Sequence, residues 1–315
     1  MHVDKLSVPQ NTIFAAMRFW ILLIWLTFSL KASAQLSSVY RIDTLLSDQV
    51  NPIHPAIHPD GTKLLFTSAA DSQVYFYDIN SAVIHKLTNE SEAVASACWS
   101  PNEEKIVFVS HPEGQLKQQF LAGKSSLLIP ERALEACAPQ FNHEGNLLMF
   151  IGQRQSQQQP HIFTYDFKYD NLNQLTRDFV VENPRWSPSD ELISFDTKEG
   201  LRSKIVLLNW YGAVYQEIIN DSLNLFDANW ADSDYKMIYI GHKSQRYFLI
   251  SSRLNDDGFS VLLESEFPLS NPIWIPNSEK VLVTCTNYAG EQLILRLNLD
   301  EQTTYEDVLL KILKE

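Results

Sequence analysis

The sequence predicts an all-β fold: a six-bladed β-propeller of four-stranded antiparallel blades, closed by an N-terminal strand. Three observations predict it. A unit of about 44 residues recurs six times. Each copy carries a large anchor side chain, a tight polar turn and then an apolar strand. The last copy lacks a fourth strand, while a spare strand precedes the first copy.

The anchors are Ile57, Trp99, Phe141, Trp186, Trp230 and Trp274, spaced 42, 42, 45, 44 and 44 residues apart. Four of the five Trp beyond residue 34 hold this one position. A short strand ends at each anchor. The turn that follows is built from Ser, Asn, Pro, Asp and Gly, which adopt turn dihedrals at little cost. Examples are Pro59-Asp60-Gly61, Ser100-Pro101-Asn102 and Ser187-Pro188-Ser189-Asp190. The second strands are apolar runs such as Leu64-Leu65-Phe66 and Ile106-Val107-Phe108. Third strands follow, as in Val74-Tyr75-Phe76-Tyr77 and Ile205-Val206-Leu207-Leu208. Fourth strands fall near 83–88, 125–130, 172–176, 213–219 and 260–265. Four short strands per unit describe a propeller blade, and a lone blade cannot bury both of its faces. The sixth unit reaches its third strand near 292–298 and has no good fourth, so Val39–Leu45 is expected to complete it and remove an open edge.

Ahead of the repeats, Arg18 precedes an apolar run from Phe19 to Leu30, and Ala32-Ser33-Ala34 follows. The run is short for a bilayer span, which takes about 20 residues. A basic start, a short apolar run and small residues at the end describe a signal peptide over residues 1–34, with Met17 the better start. The expected domains are therefore this leader, a propeller over 35–300, and a tail over 301–315 with a short amphipathic helix at 305–313. Gln35, not Cys, follows the leader, so no lipid anchor is expected. No stable membrane span is expected after cleavage, and the location is periplasmic or secreted.

Composition is globular, with 45% hydrophobic, 11% aromatic and 20% charged residues, which excludes disordered and collagen-like classes. The formal charge is −13. It becomes −15 without the leader, which carries Lys5, Arg18 and Lys31 against Asp4. A nucleic-acid binder needs a basic surface, so that class is excluded. Cys98, Cys137 and Cys285 are too few for a disulfide framework and are read as buried free thiols.

The repeat resembles that of the TolB family of periplasmic propellers. The matching residues are the Trp-Ser-Pro turns at 99 and 186, the Pro-Asp-Gly turn at 59 and the Leu-Thr strand ends at 87 and 175. The resemblance covers roughly residues 38–300. It implies a periplasmic or secreted, non-enzymatic propeller that binds a partner through one face. The chain departs from the family in having few Gly and no Ser-Pro in repeats five and six, and no preceding domain is expected ahead of its repeats. The family's lipoprotein partner is therefore not carried over.

A fold does not fix a function, so chemistry must be sought in the residues. The chain has no Gly-x-Ser-x-Gly elbow, HExxH pair or P-loop. His54 and His58 are four apart, a spacing that aligns ligands on a helix, not on a strand. No cofactor and no metal are expected. The Trp set is read as core wedge, and the glutamine-rich segment 153–159 as a solvated hairpin.

Charge is the strongest surface signal. Segments 47–53, 89–95, 131–138, 177–183, 220–227 and 266–271 lead into the first strands and emerge on one face. They hold ten acids against Arg132 and Arg177. Such a face focuses negative potential at the channel mouth and suits a basic partner. The expected binding residues are Glu92, Glu135, Glu182 and Asp227, each read as lying just before a first strand and accepting hydrogen bonds from basic groups. The expected function is an exported, non-enzymatic protein-interaction module of the cell envelope. The alternative is a small-ligand or metal-dependent enzyme working in the central channel.

Overall fold

The computed structural model describes residues 40–46, 50–102, 104–121, 123–129, 134–231, 233–255 and 258–302. Every helix or strand among them is a strand. Strand β1 spans Tyr40–Leu46. Blade 1 holds β2 (Pro52–Ile57), β3 (Lys63–Ser68), β4 (Gln73–Asp78) and β5 (Val83–Lys86). Blade 2 holds β6 (Ala93–Trp99), β7 (Lys105–His111), β8 (Gln115–Phe120) and β9 (Ser125–Leu127). Blade 3 holds β10 (Leu134–Phe141), β11 (Leu147–Arg154), β12 (His161–Asp166) and β13 (Asn171–Gln174). Blade 4 holds β14 (Glu182–Trp186), β15 (Leu192–Glu199), β16 (Arg202–Asn209) and β17 (Val214–Ile218). Blade 5 holds β18 (Asn224–Trp230), β19 (Lys236–Lys243), β20 (Arg246–Arg253) and β21 (Phe259–Ser265). Blade 6 holds β22 (Leu269–Trp274), β23 (Lys280–Thr286) and β24 (Gln292–Gln302), and its fourth place is taken by β1.

The six sheets are thus four-stranded antiparallel meanders, and the N-terminal strand closes the last one, as the sequence predicts. In the closure, Ile42 pairs with Leu297 and Asp43 with Arg296. Asp43 accepts hydrogen bonds from Arg296 and from the Asn298 amide, both at 3.2 Å. Burial raises the Asp43 pKa, but these two donors more than offset it and hold the carboxyl below its ordinary range. The expected signal peptide over 1–34 and the expected tail helix at 305–313 lie outside the described residues. Among the described residues no helix is long and apolar enough to cross a membrane.

The core is six clusters, one between each pair of neighbouring blades. Trp99 packs with Leu65 and Val74 between blades 1 and 2. Phe141 sits with Val107 and Val109 between blades 2 and 3, and Trp186 with Met149 and Ile162 between blades 3 and 4. Trp230 meets Ile205 and Leu207, and Trp274 meets Ile238 and Ile240. Ile57 joins Ile273 and Leu282 across the closing interface. Each anchor is therefore a wedge driven into the blade before it. The indole N–H groups of Trp99, Trp186 and Trp230 have no acceptor among the described residues, so these rings act through apolar bulk. The side chains at Cys98 and Cys285 are buried free thiols as expected, whereas Cys137 is free but exposed. It lies on β10 where buried and exposed positions alternate, and it falls on an exposed one.

The turn motif now has a mechanism. Ser100, Asn142 and Ser187 follow their anchors directly, and each accepts the backbone N–H five residues on, from Lys105, Leu147 and Leu192. A turn acid two or more positions later then ties blades together. Asp190 of blade 4 accepts the N–H groups of His143 and Glu144 of blade 3, at 2.8 and 3.1 Å. Asp234 of blade 5 accepts Ser189 N–H of blade 4 at 3.0 Å. The Leu-Thr strand ends also resolve. The buried Thr88 and Thr176 hydroxyls accept the N–H of Val74 and Ile162, both at 2.9 Å, where the fourth strand leaves the sheet.

Trp186 is 2% exposed, so truncating it leaves a cavity between blades 3 and 4. Trp186→Ala is expected to cost about 3–5 kcal/mol of unfolding free energy. Trp186→Phe keeps the wedge and loses no hydrogen bond, so its cost stays well below that of the alanine variant. Urea titration checks both; equal losses would contradict the wedge reading.

Candidate functional site

The first strand of each blade lines the channel, and each carries the same defect. The pairing with the second strand slips between Ile53 and Ala56, Val94 and Ser96, Cys137 and Gln140, Glu182 and Arg185, Phe226 and Asn229, and Ser270 and Ile273. Three residues before the anchor stand His54, Ser96, Ala138, Asn183, Asp227 and Asn271. Five of these six have left-handed backbones, with φ of 51° at His54, 49° at Ala138, 50° at Asn183, 54° at Asp227 and 47° at Asn271. Asn and Asp tolerate that region best among non-glycine residues. Such bulges re-aim side chains and backbone groups, and here they do so around one axis.

The re-aimed groups bond from blade to blade. Ala138 N–H donates to Ser96 Oγ at 3.2 Å, and Asn271 N–H to Asp227 Oδ2 at 3.0 Å. Asp227 N–H donates to Asp196 Oδ2 at 2.6 Å. The Asn183 amide donates to Asp196 at 3.0 Å and also to Asp227. Blades 4, 5 and 6 are thereby joined by one buried polar knot. Burial pushes the Asp196 carboxyl up to about 7, and the neighbouring Asp227 charge adds to the rise. Burial also raises Asp227, against the Asn271 N–H and the Arg185 charge.

Between this ring and the turns after the first strands lies a cavity of about 420 Å³. All six blades line it. Its wall carries Arg185, His54 and His143, a set of carboxamides that includes Gln140, Asn229 and Asn271, and flanking Pro and Trp side chains. Among the described residues no Asp or Glu is in the lining. His54 lines the cavity and keeps solvent-exposed surface. Enclosure lowers its pKa, and the Arg185 charge lowers it further. Enclosure likewise lowers the Arg185 pKa, opposed by Asp227 and Asp196.

The four acids expected to bind a partner do not share one environment. Glu92 precedes β6 as expected, and Lys117 holds it at 2.8 Å. Lys117 also reaches Glu90 at 3.4 Å. Glu135 is exposed, but it is the second residue of β10. Glu182 opens β14 and pairs with Lys198 at 2.8 Å. Asp227 lies inside β18, 9% exposed, in the polar knot. The bulge explains this shift: pairing resumes on the far side of the slip, so the strands begin earlier than the anchors suggest. Asp221 adds a contact to Arg202 at 3.6 Å. These bases come from the second and third strands, whose connecting turns share the face of the acidic loops. The loop count omits them and so overstates the negative charge of that face.

Sequence reasoning missed Asn183, Arg185, Asp196 and Asn271. A usable signal was present: aligning the repeats on their anchors puts His54, Asn183, Asp227 and Asn271 in one column. Among the described residues no three His, Cys, Asp or Glu are grouped to hold a metal ion.

A family model for the TolB beta propeller domain matches residues 34–234. No curated protein matches significantly. Among solved structures, a TolB candidate from Agrobacterium tumefaciens is 14% identical with a TM-score of 0.60, covering 78% of this chain and 89% of that one. TolB from Acinetobacter baumannii is 16% identical with a TM-score of 0.58, covering 79% and 63%. A gluconolactonase from Xanthomonas campestris is 12% identical with a TM-score of 0.65, covering 85% and 92%. At these identities the structures share the fold.

Folding raises the Asp196 pKa from the ordinary carboxylate range to about 7, so the folded state takes up a proton between about pH 4 and pH 7. The Asp196 contribution to stability is therefore greatest at the acid end and falls as pH rises to 7. Asp196→Asn removes that slope. The melting temperature of wild type relative to Asp196→Asn is expected to drop by roughly 3 °C or more between pH 5 and pH 8. A constant difference across that range would contradict the assignment.

Proposed function

The chain belongs to the TolB beta-propeller domain family, and from that premise we propose that it is an exported protein-interaction module of the cell envelope. Its partner docks on the face formed by the turns after first and third strands, over the mouth of the central cavity. The observation that carries this reading is the distribution of exposed aromatics. Phe120, Tyr169, Trp210, Tyr211, Tyr235 and Phe259 stand at or beside those turns, in blades 2 to 5, whereas Tyr215 lies on the outer strand β17 and Tyr288, 82% exposed, at a turn of the opposite face. Aromatic side chains are enriched at the centres of protein interfaces and dominate their energetics.

The acidic loops form the rival surface. Glu92, Glu135 and Glu182 sit toward the opposite face, and two of the three already bind lysines. That internal pairing supports the turn face over a charge-driven dock for a basic partner. Export to the periplasm is part of the same reading. It is supported by the leader pattern in residues 18–34 and by the family, with secretion as its alternative. The enclosed cavity favours a second reading, a small-ligand binder or enzyme acting in the channel, and the similar fold of a gluconolactonase is compatible with it.

Affinity capture from envelope extract tests the choice of face. Trp210→Ser combined with Tyr211→Ser is expected to lose a stoichiometric partner that wild type retains. Glu92→Gln, Glu135→Gln and Glu182→Gln together are expected to keep it. Loss in the glutamine variant with retention in the serine variant would move the dock to the acidic loops. Retention in both would contradict docking at either surface.

A further inference from the structure

Among the described residues, two side chains lining the central cavity, Arg185 and His54, keep polar groups uncommitted. Arg185 Nη1 donates to the carbonyl of Pro184 at 2.9 Å. Among the described residues its other N–H donors have no acceptor, and no carboxylate forms an ion pair with it. His54 makes no hydrogen bond among the described residues. Three carboxamides of the same wall already have protein partners. Asn183 bonds Asp196 and Asp227, Asn229 donates to the Pro272 carbonyl at 3.0 Å, and Gln140 accepts Trp186 N–H at 3.2 Å. Arg185 is half-buried and its open donors are not sealed from solvent, so a group entering the cavity can reach them.

The two groups belong to blades 1 and 4, which stand opposite each other in a ring of six. Both side chains line the one central cavity. A group on the axis therefore meets a cation from one side and an imidazole from the other. The cavity volume falls within the usual range for small-ligand sites, roughly 300–1,000 Å³. The planar fork of arginine matches a carboxylate with two parallel hydrogen bonds. Asp196 and Asp227 act on Arg185 from beyond ion-pair distance and moderate its positive potential. That suits a singly charged carboxylate better than a phosphate dianion.

We propose that the central cavity binds a carboxylate group, held by the Arg185 guanidinium with His54 opposite it. The carboxylate belongs either to a free small acid or to an acidic side chain of a docked polypeptide. In the second case the proposal rests on the turn-face reading above; in the first it stands without it.

Calorimetric titration of the full chain tests it, with succinate, a short Asp-containing peptide, the same peptide with Asn for Asp, and inorganic phosphate. Succinate or the Asp peptide is expected to bind, and the Asn peptide is not. Arg185→Gln is expected to weaken binding by about tenfold or more, the loss of one charge-assisted pair. Arg185→Lys is expected to recover part of it. His54→Asn, a residue that tolerates the left-handed backbone, is expected to weaken binding less. It also carries the test if Arg185→Gln does not fold by near-ultraviolet circular dichroism. Succinate binding without peptide binding supports the site and detaches it from the partner reading. Binding of the Asp peptide supports both. The proposal is overturned if no carboxylate binds wild type, if phosphate alone binds, or if the folded variants bind as tightly as wild type.

Discussion

Each blade is apolar on both faces, and everything else in the structure follows from that. A sheet with one wet face can stand alone once it is covered on the other; a sheet with two dry faces needs a neighbour on each side. The second strands show the constraint most clearly. Leu64, Leu65 and Phe66 are all buried in sequence, as are Ile106, Val107 and Phe108, so each strand feeds two interfaces at once. Six interfaces then need six blades in a closed ring. The anchors fill the inner, narrow part of each interface, which explains why one position repeats Trp while the rest of the unit drifts.

Closure sets the channel, and the channel sets the chemistry. Six first strands converging on an axis crowd one another, and each relieves the crowding with a bulge at the same depth. The bulges free backbone N–H groups from the ladder, and these need new acceptors in a buried setting. Ser96, Asp196 and Asp227 provide them for Ala138, Asp227 and Asn271. The polar knot is therefore first a structural repair. Arg185 and His54 line the same cavity and take no part in these bonds.

Much of the fold was legible because it is written in repetition. The anchor spacing, the turn residues and the spare strand at Tyr40 to Leu45 all gave the right architecture, including which strand closes the ring. The Leu-Thr ends were legible as a pattern but not as a mechanism, since the hydroxyl-to-backbone bond of Thr88 or Thr176 is a tertiary event. The site was less legible. Asp227 looked like a loop acid because a bulge cannot be seen in one sequence, and its burial follows from that bulge. Glu92 and Glu182 looked like free charge because their lysines, Lys117 and Lys198, stand 25 and 16 residues away on other strands. Arg185 was hidden in plain view beside Trp186, since nothing local distinguishes an unspent arginine from a paired one.

Closure by β1 makes the six interfaces interdependent. The direct measurement is equilibrium urea unfolding of a chain lacking residues 40–46, compared with the intact chain. Tryptophan fluorescence reports on the wedges at Trp99, Trp186, Trp230 and Trp274, which lie in four different interfaces. Far-ultraviolet circular dichroism reports on the sheets. The intact chain is expected to unfold in coincident, single transitions, and the clasp-free chain at a lower midpoint with separated transitions. A single transition with an unchanged midpoint in the clasp-free chain would contradict it.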